Sequence, residues 1–189
     1  MKLFLLFLLL PAQSPAAEPI GHVKFLVGSA SVGKRSVELG SAVYSGETLR
    51  TSPKSIVRIA LNSGAALHLG PATTLTLEAE KSITRLNLER GSVLSRIRKL
   101  GPGQKFELKH QQAAMGVRGT TFFTQTKGKD TYLCVCEGEV SAEWPGGKKT
   151  IAAKHHDHPT ILQPKGEAPP PKDPGHTDDE IAELEKLLT

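Results

Sequence analysis

Residues 55–80, "SIVRIALNSGAALHLGPATTLTLEAE", decide the fold. In "SIVRIAL" and "TTLTLEA" apolar and polar residues alternate, so each run sorts its side chains onto two faces with the period of a β-strand. "NSG" and "LGP" interrupt these runs at glycine and proline, the residues that punctuate turns. The same pattern continues outward. "TRLNLER" (84–90) and "KFELKH" (105–110) alternate, and glycine-bearing breaks recur at "LVGSA", "VELGS", "LERGS", "LGPGQ", "CEGEV" and "WPGGKK". Many short strands punctuated in this way predict an all-β fold. No helix is expected before residue 177.

Gly28, Gly64, Gly91 and Gly138 each end one strand-like run and open another. Their irregular spacing excludes a regular repeat array. It fits strands stacked by successive turns, a short irregular β-solenoid-like stack. A sandwich is the alternative, because short punctuated strands suit both.

The N-terminal "MKLFLLFLLLPAQSPAA" has one lysine, an apolar run from Leu3 to Leu10, and then proline and small residues. That is the pattern of a signal peptide, here residues 1–16 with cleavage after Ala16. The apolar run is shorter than the ~20 residues that span a bilayer. The expectation is a periplasmic protein with no stable membrane span after cleavage. About 170 residues then remain, enough for a real core. From 18 to 163 there are 20 Lys and Arg against 12 Asp and Glu; from 164 to 189 there are 3 against 7. A basic body therefore carries an acidic tail, and export argues against nucleic acid as the partner.

The all-β domain is expected to span 17–163. "PKGEAPPPKDPGH" (164–176) is proline-rich and reads as a linker. "TDDEIAELEKLLT" (177–189) opens with a capping box, Thr177 and Glu180, and sets Ile181, Leu184 and Leu188 on one face. So short a helix needs a surface to lie on, either its own β body or a partner protein of the envelope.

Two stretches resemble the FecR-like domain family, the periplasmic sensing module of iron-uptake regulators. One is "YSGETLRTSPKSIVRIALNSGAALHLGPATTLTLE" (44–78). The other is "LERGSVLSRI" followed by "AAMGVRGTTFFTQT" and the "CVCEGEV" turn (134–140). The resemblance covers about 20–163 and implies a non-enzymatic binding domain. In that family an anti-sigma segment and a membrane span precede the domain, whereas here a signal peptide does. Arg118, opening "RGTTF", reads as a structural ion pair or a ligand-facing charge.

The only two cysteines, Cys134 and Cys136, lie two apart on a predicted strand and so point the same way. Their Cα atoms stand about 6.5 Å apart, near the far limit for a disulfide. "WPGGK" predicts a hairpin of 131–144 with 149–162. With Trp144 opposite Lys148, Cys136 meets His156 and Cys134 meets His158; a slip of one residue brings His155 to Cys136. Cys134, Cys136, His155, His156 and His158 are therefore candidate ligands for zinc or copper. A thiol-redox pair, or two small buried cysteines beside a solvent-facing histidine run, are the other readings. His68 reads as a strand surface residue and His110 as a loop residue. No serine–histidine–acid set, phosphate-cradling loop or catalytic carboxylate pair is recognisable, so no enzymatic activity is expected. The sequence thus reads as an exported binding or sensing module, with an interaction scaffold or a thiol-redox partner as alternatives.

Overall fold

The computed structural model describes residues 17–189 apart from 112, 156, 157 and 173; the expected signal peptide lies outside the described residues. Alternation in the chain becomes two layers of strands that share one core. β1 (Gly21–Val27) opens the first layer. β2 (Ala30–Val32) and β3 (Arg35–Ser36) form a hairpin in the second, β4 (Ala42–Val43) returns to the first, and β5 (Glu47–Thr51) to the second. Next come hairpin β6 (Ile56–Leu61) and β7 (Ala65–Leu69) in the first layer, then β8 (Thr74–Glu80) and β9 (Ile83–Arg90) in the second. β10 (Ser92–Ile97) lies in the first, β11 (Lys105–His110) and β12 (Ala113–Val117) in the second, and β13 (Thr121–Lys127) in the first.

The long β14 (Asp130–Trp144) serves both layers. β15 (Gly147–Ala153) then extends the second, and β16 (His158–Gln163) and β17 (Gly166–Ala168) extend the first. All pairings are antiparallel except β9 with β11. Because β14 bridges the layers, the 17 strands form one mixed hydrogen-bonded sheet folded over on itself, not a closed barrel. The chain's shuttling between layers is the expected solenoid-like stack, and its four punctuating glycines all have positive φ.

The core fills the space between the layers. Val57, Ile59, Leu67, Leu69, Phe122 and Leu133 come from the first, and Leu49, Leu75, Leu77, Leu86 and Leu88 from the second. Each fully buried leucine contributes about 1.5–3 kcal/mol. The outward face of the first layer is covered as well. α1 (Asp178–Lys186), capped by the predicted box of Thr177 and Glu180, lies on it with Leu184 fully buried. Ala66, Leu94, Phe123, Tyr132, Cys134 and Cys136 form a second apolar cluster with it. That cover explains why all five residues of β7 are buried. Among the described residues no helix is long and apolar enough to cross a membrane.

β14 changes layer through an irregularity. Phe122 pairs with Val135 but Thr121 with Glu137, so Cys136 is an extra residue in the strand. Core-facing residues are odd-numbered before it (Leu133, Val135) and even-numbered after it (Val140, Ala142, Trp144). Gly138 completes the turn at φ 90°. A Cβ there would stand 2.7 Å from the Gly119 carbonyl oxygen and 3.1 Å from the Thr120 Cα. The Thr120 hydroxyl donates to the Glu139 carbonyl at 2.8 Å and accepts from the Glu139 N–H at 3.3 Å, so "RGT" clamps the bend.

Several expectations change. The hairpin closes with Trp144 opposite Gly147, not Lys148. Its second strand ends at Ala153, and β16 pairs instead with the first half of β14, because a strand that bends between layers needs a separate neighbour in each. The 164–176 segment contains β17, which pairs with β16 through Gly166 to Ala168, between Pro164 and the Pro169–Pro171 run. His68 is buried beneath α1, and His110 closes β11, buried, with Nδ1 2.6 Å from Thr131 Oγ1. Arg118 is exposed and makes no ion pair among the described residues.

Gly138→Ala is expected to lower stability by about 2–3 kcal/mol, since it combines a strained φ with a backbone clash. Gly46→Ala, at φ 85° with no atom within 4 Å of its Cβ, should cost only about 1 kcal/mol. Urea midpoints of the two variants measure the difference; equal losses would show that the bend tolerates a side chain.

Candidate metal centre

Tyr132, Cys134 and Cys136 project from the outward face of β14 because alternation gives Leu133 and Val135 to the core. Both cysteines are buried thiols. The third member of the site comes from the arm that leads to α1. Gly175 passes so near the Phe123 ring that a Cβ would lie 3.0 Å from it, and this approach lays the His176 ring on Phe123 with centroids 4.8 Å apart. Nδ1 of His176 lies 2.9 Å from the Pro174 carbonyl oxygen, which only accepts, so Nδ1 carries the proton. Nε2 then turns its lone pair toward Cys136 Sγ at 3.2 Å. Fixing a ring by its far N–H is how proteins orient ligating histidines.

The ligand atoms of Cys134, Cys136 and His176 all lie within 4.8 Å of one another, and all three residues are buried. Two thiols and an imidazole at that separation suit zinc or copper(I), whose bonds to sulfur and nitrogen are about 2.0–2.3 Å. The hydrogen bond to Cys134 and then burial push the Cys136 thiol up, with the Asp178 charge adding to both. A reactive redox cysteine is shifted the other way. In this setting a bound cation is what would let the thiols give up their protons.

The structure sets Cys134 and Cys136 side by side, and the histidine that lies with them is His176. His155 is exposed at the rim, its Nε2 3.8 Å from Asp178 Oδ2, and with Cys136, Glu137 and Lys154 it lines a recess of about 220 Å³. The hairpin register, one residue off Trp144–Lys148, brings it to that level. His158 opens β16 opposite Val135, with Pro159 opposite Cys134. His156 lies outside the described residues. His176 escaped sequence reasoning because only the fold shows the proline-rich arm turning back onto β13 and β14. The one local hint was a histidine directly before a capping box.

The family model described as FecR protein matches residues 47–141, about half of the chain. The chain belongs to the FecR family. The matched span holds both cysteines and stops before His176. Two crystal structures of a candidate anti-sigma factor from Parabacteroides distasonis ATCC 8503, at 1.65 and 2.50 Å resolution, share the fold. Each has a TM-score of 0.55 and 15% identity, over 65% of this chain and 59% of that one. The chain thus spans less than two thirds of that protein. Among curated proteins none matches.

Two buried histidines make stability depend on pH. Desolvation lowers His68, with Glu180 opposing and Arg58 reinforcing, and desolvation alone lowers His110. The folded chain therefore binds fewer protons than the unfolded one just below the ordinary histidine value of 6.5, so stability declines as pH falls through that value. Urea midpoints should drop between about pH 7 and 5, and His110→Asn should flatten the slope. An unchanged slope would remove His110 from the account.

Proposed function

We propose that this chain is an exported, non-enzymatic FecR-type sensing module of the bacterial cell envelope, and that it binds a soft transition-metal ion, zinc or copper. Cys134, Cys136 and His176 are its ligands. The observation that carries the reading is the buried cluster of two thiols and an oriented imidazole, with ligand atoms within 4.8 Å. Export rests on the Met1–Ala16 pattern. Family membership and the fold shared with a candidate anti-sigma factor favour a regulatory role exercised through another protein.

The ligand set itself suggests how binding is reported. Cys134 and Cys136 belong to the rigid sheet, whereas His176 belongs to the arm that carries α1. An ion held by all three ties the arm to β14, so occupancy acts on the hold of the C-terminal helix. Three protein ligands leave a further position for water or a partner's donor. Binding displaces thiol protons, so affinity rises with pH.

Elemental analysis of the full chain purified from the periplasm tests this, together with a thiol count after chelation and denaturation. About one zinc or copper per chain with two free thiols is expected. Cys134→Ser with Cys136→Ser should abolish binding, and His176→Ala should weaken it by at least about 10–100-fold, the cost of losing a mere outer partner of a ligand. His155→Ala should leave it largely unchanged. Metal-free protein with two free thiols would overturn the site and leave the scaffold reading. Metal-free protein with none would show a disulfide and favour the redox reading.

A further inference from the structure

α1 covers a surface whose composition is unusual for the outside of a sheet. Its floor is apolar: Ala66 on β7 and Leu94 on β10 cluster with Leu184, and Phe123 on β13 and Tyr132 on β14 belong to the same buried cluster, Phe123 beneath the His176 ring. Its margin is cationic. Arg58 and Arg96 flank the floor, and the buried His68 stands between them in chain order.

The helix answers each feature. Leu184 is fully buried, and Ile181, Leu187 and Leu188 pack beside it. Glu180 Oε1 lies 3.5 Å from His68 Nε2, Glu183 Oε2 lies 3.3 Å from Arg58, and Glu185 Oε1 lies 2.6 Å from Arg96. Apolar residues on one stripe and glutamates beside it form an acidic amphipathic helix laid in a groove.

The cover is held lightly. α1 has nine residues, too few for a helix that is stable alone. It meets the sheet through β7 and β10, and a segment with prolines at 169, 170, 171 and 174 tethers it. Its ion pairs lie at the surface: Glu183 and Glu185 are about half exposed, and Arg96 has a second carboxylate partner in Glu137. The main core is complete without it, since Leu184 belongs to the second cluster only.

We propose that the face formed by Ala66, Leu94, Phe123 and Tyr132, with Arg58, Arg96 and His68, is a docking groove for an acidic amphipathic helix of a partner protein, and that α1 occupies it in cis until that helix displaces it. Charge complementarity selects the occupant. An apolar helix without glutamates leaves Arg58 without Glu183 and Arg96 with Glu137 alone, and a basic helix meets them as like charges. The tether sets the threshold, because it presents α1 at an effective concentration of about millimolar. This inference goes beyond the metal reading and does not need it.

The probe is a fluorescent peptide of residues 174–189, titrated into the full chain with chelator and reductant present so that the cysteine site plays no part. In Leu184→Asp the chain's own helix loses its anchor. That variant should take up the peptide at least about 10-fold more tightly than the wild type, whose tethered helix competes. Adding Arg58→Glu and Arg96→Glu should abolish uptake, and a peptide with Glu180, Glu183 and Glu185 replaced by Gln should bind weakly. If Leu184→Asp fails to fold, Glu183→Lys with Glu185→Lys loosens α1 through exposed positions and should also raise uptake. A folded variant whose C-terminus is open to protease, yet which takes up no more peptide than wild type, overturns the groove. A wild-type dimer that Leu184→Asp dissociates assigns the groove to a second copy and overturns the partner reading. Either failure leaves the metal result untouched, and loss of metal binding in the cysteine variants leaves this one standing.

Discussion

The bend in β14 is the constraint on which the rest depends. One strand supplies neighbours for β13 and β16 in the first layer and for β12 and β15 in the second. It does so by inserting Cys136 as an extra residue and turning at Gly138, where the Gly119 carbonyl leaves no room for a side chain. The inserted residue reverses which side chains face the core. Cys136 therefore stays on the outer face with Cys134, while Val140 and Ala142 return to the interior. The "RGT" segment and the "EGEV" turn are two halves of one device, joined by the Thr120 hydroxyl.

A second consequence concerns the outer face of the first layer. A sheet with one wet face alternates cleanly, but this one is covered on both sides along β7, β13 and β14. The outer cover is thin: one short helix and one arm. Its stability comes from one buried leucine, three partly buried neighbours, the His176 ring stacked on Phe123, and ion pairs of modest worth at the surface. Such a cover opens more readily than the core beneath it. The candidate site shared between that cover and β14 joins a thinly held segment to a strand of the main core.

The family relationship and the candidate site overlap only in part. The FecR match ends at residue 141, so it contains the bend and both cysteines. The arm, His176 and α1 lie beyond it. The match accounts for the β body from β5 to the bend, and the C-terminal segment on the outer face lies outside it. Sharing the fold does not by itself transfer a function to that face.

The sequence by itself determined the strands, the glycine turns, the capped helix and the shared face of the two cysteines, because period-two alternation, turn chemistry and capping act within a few residues. Even a one-residue slip at the "WPGG" turn was foreseeable as an alternative, and it is the register the hairpin adopts. The pairing of β16 with the first half of β14, the burial of His68, and the recruitment of His176 were decided only by the tertiary structure. Each depends on which segments meet across many residues of chain. A bulge that reverses side-chain facing, and an arm that folds back, leave almost no trace in local composition. Long-range packing chose the histidine that lies beside the two cysteines.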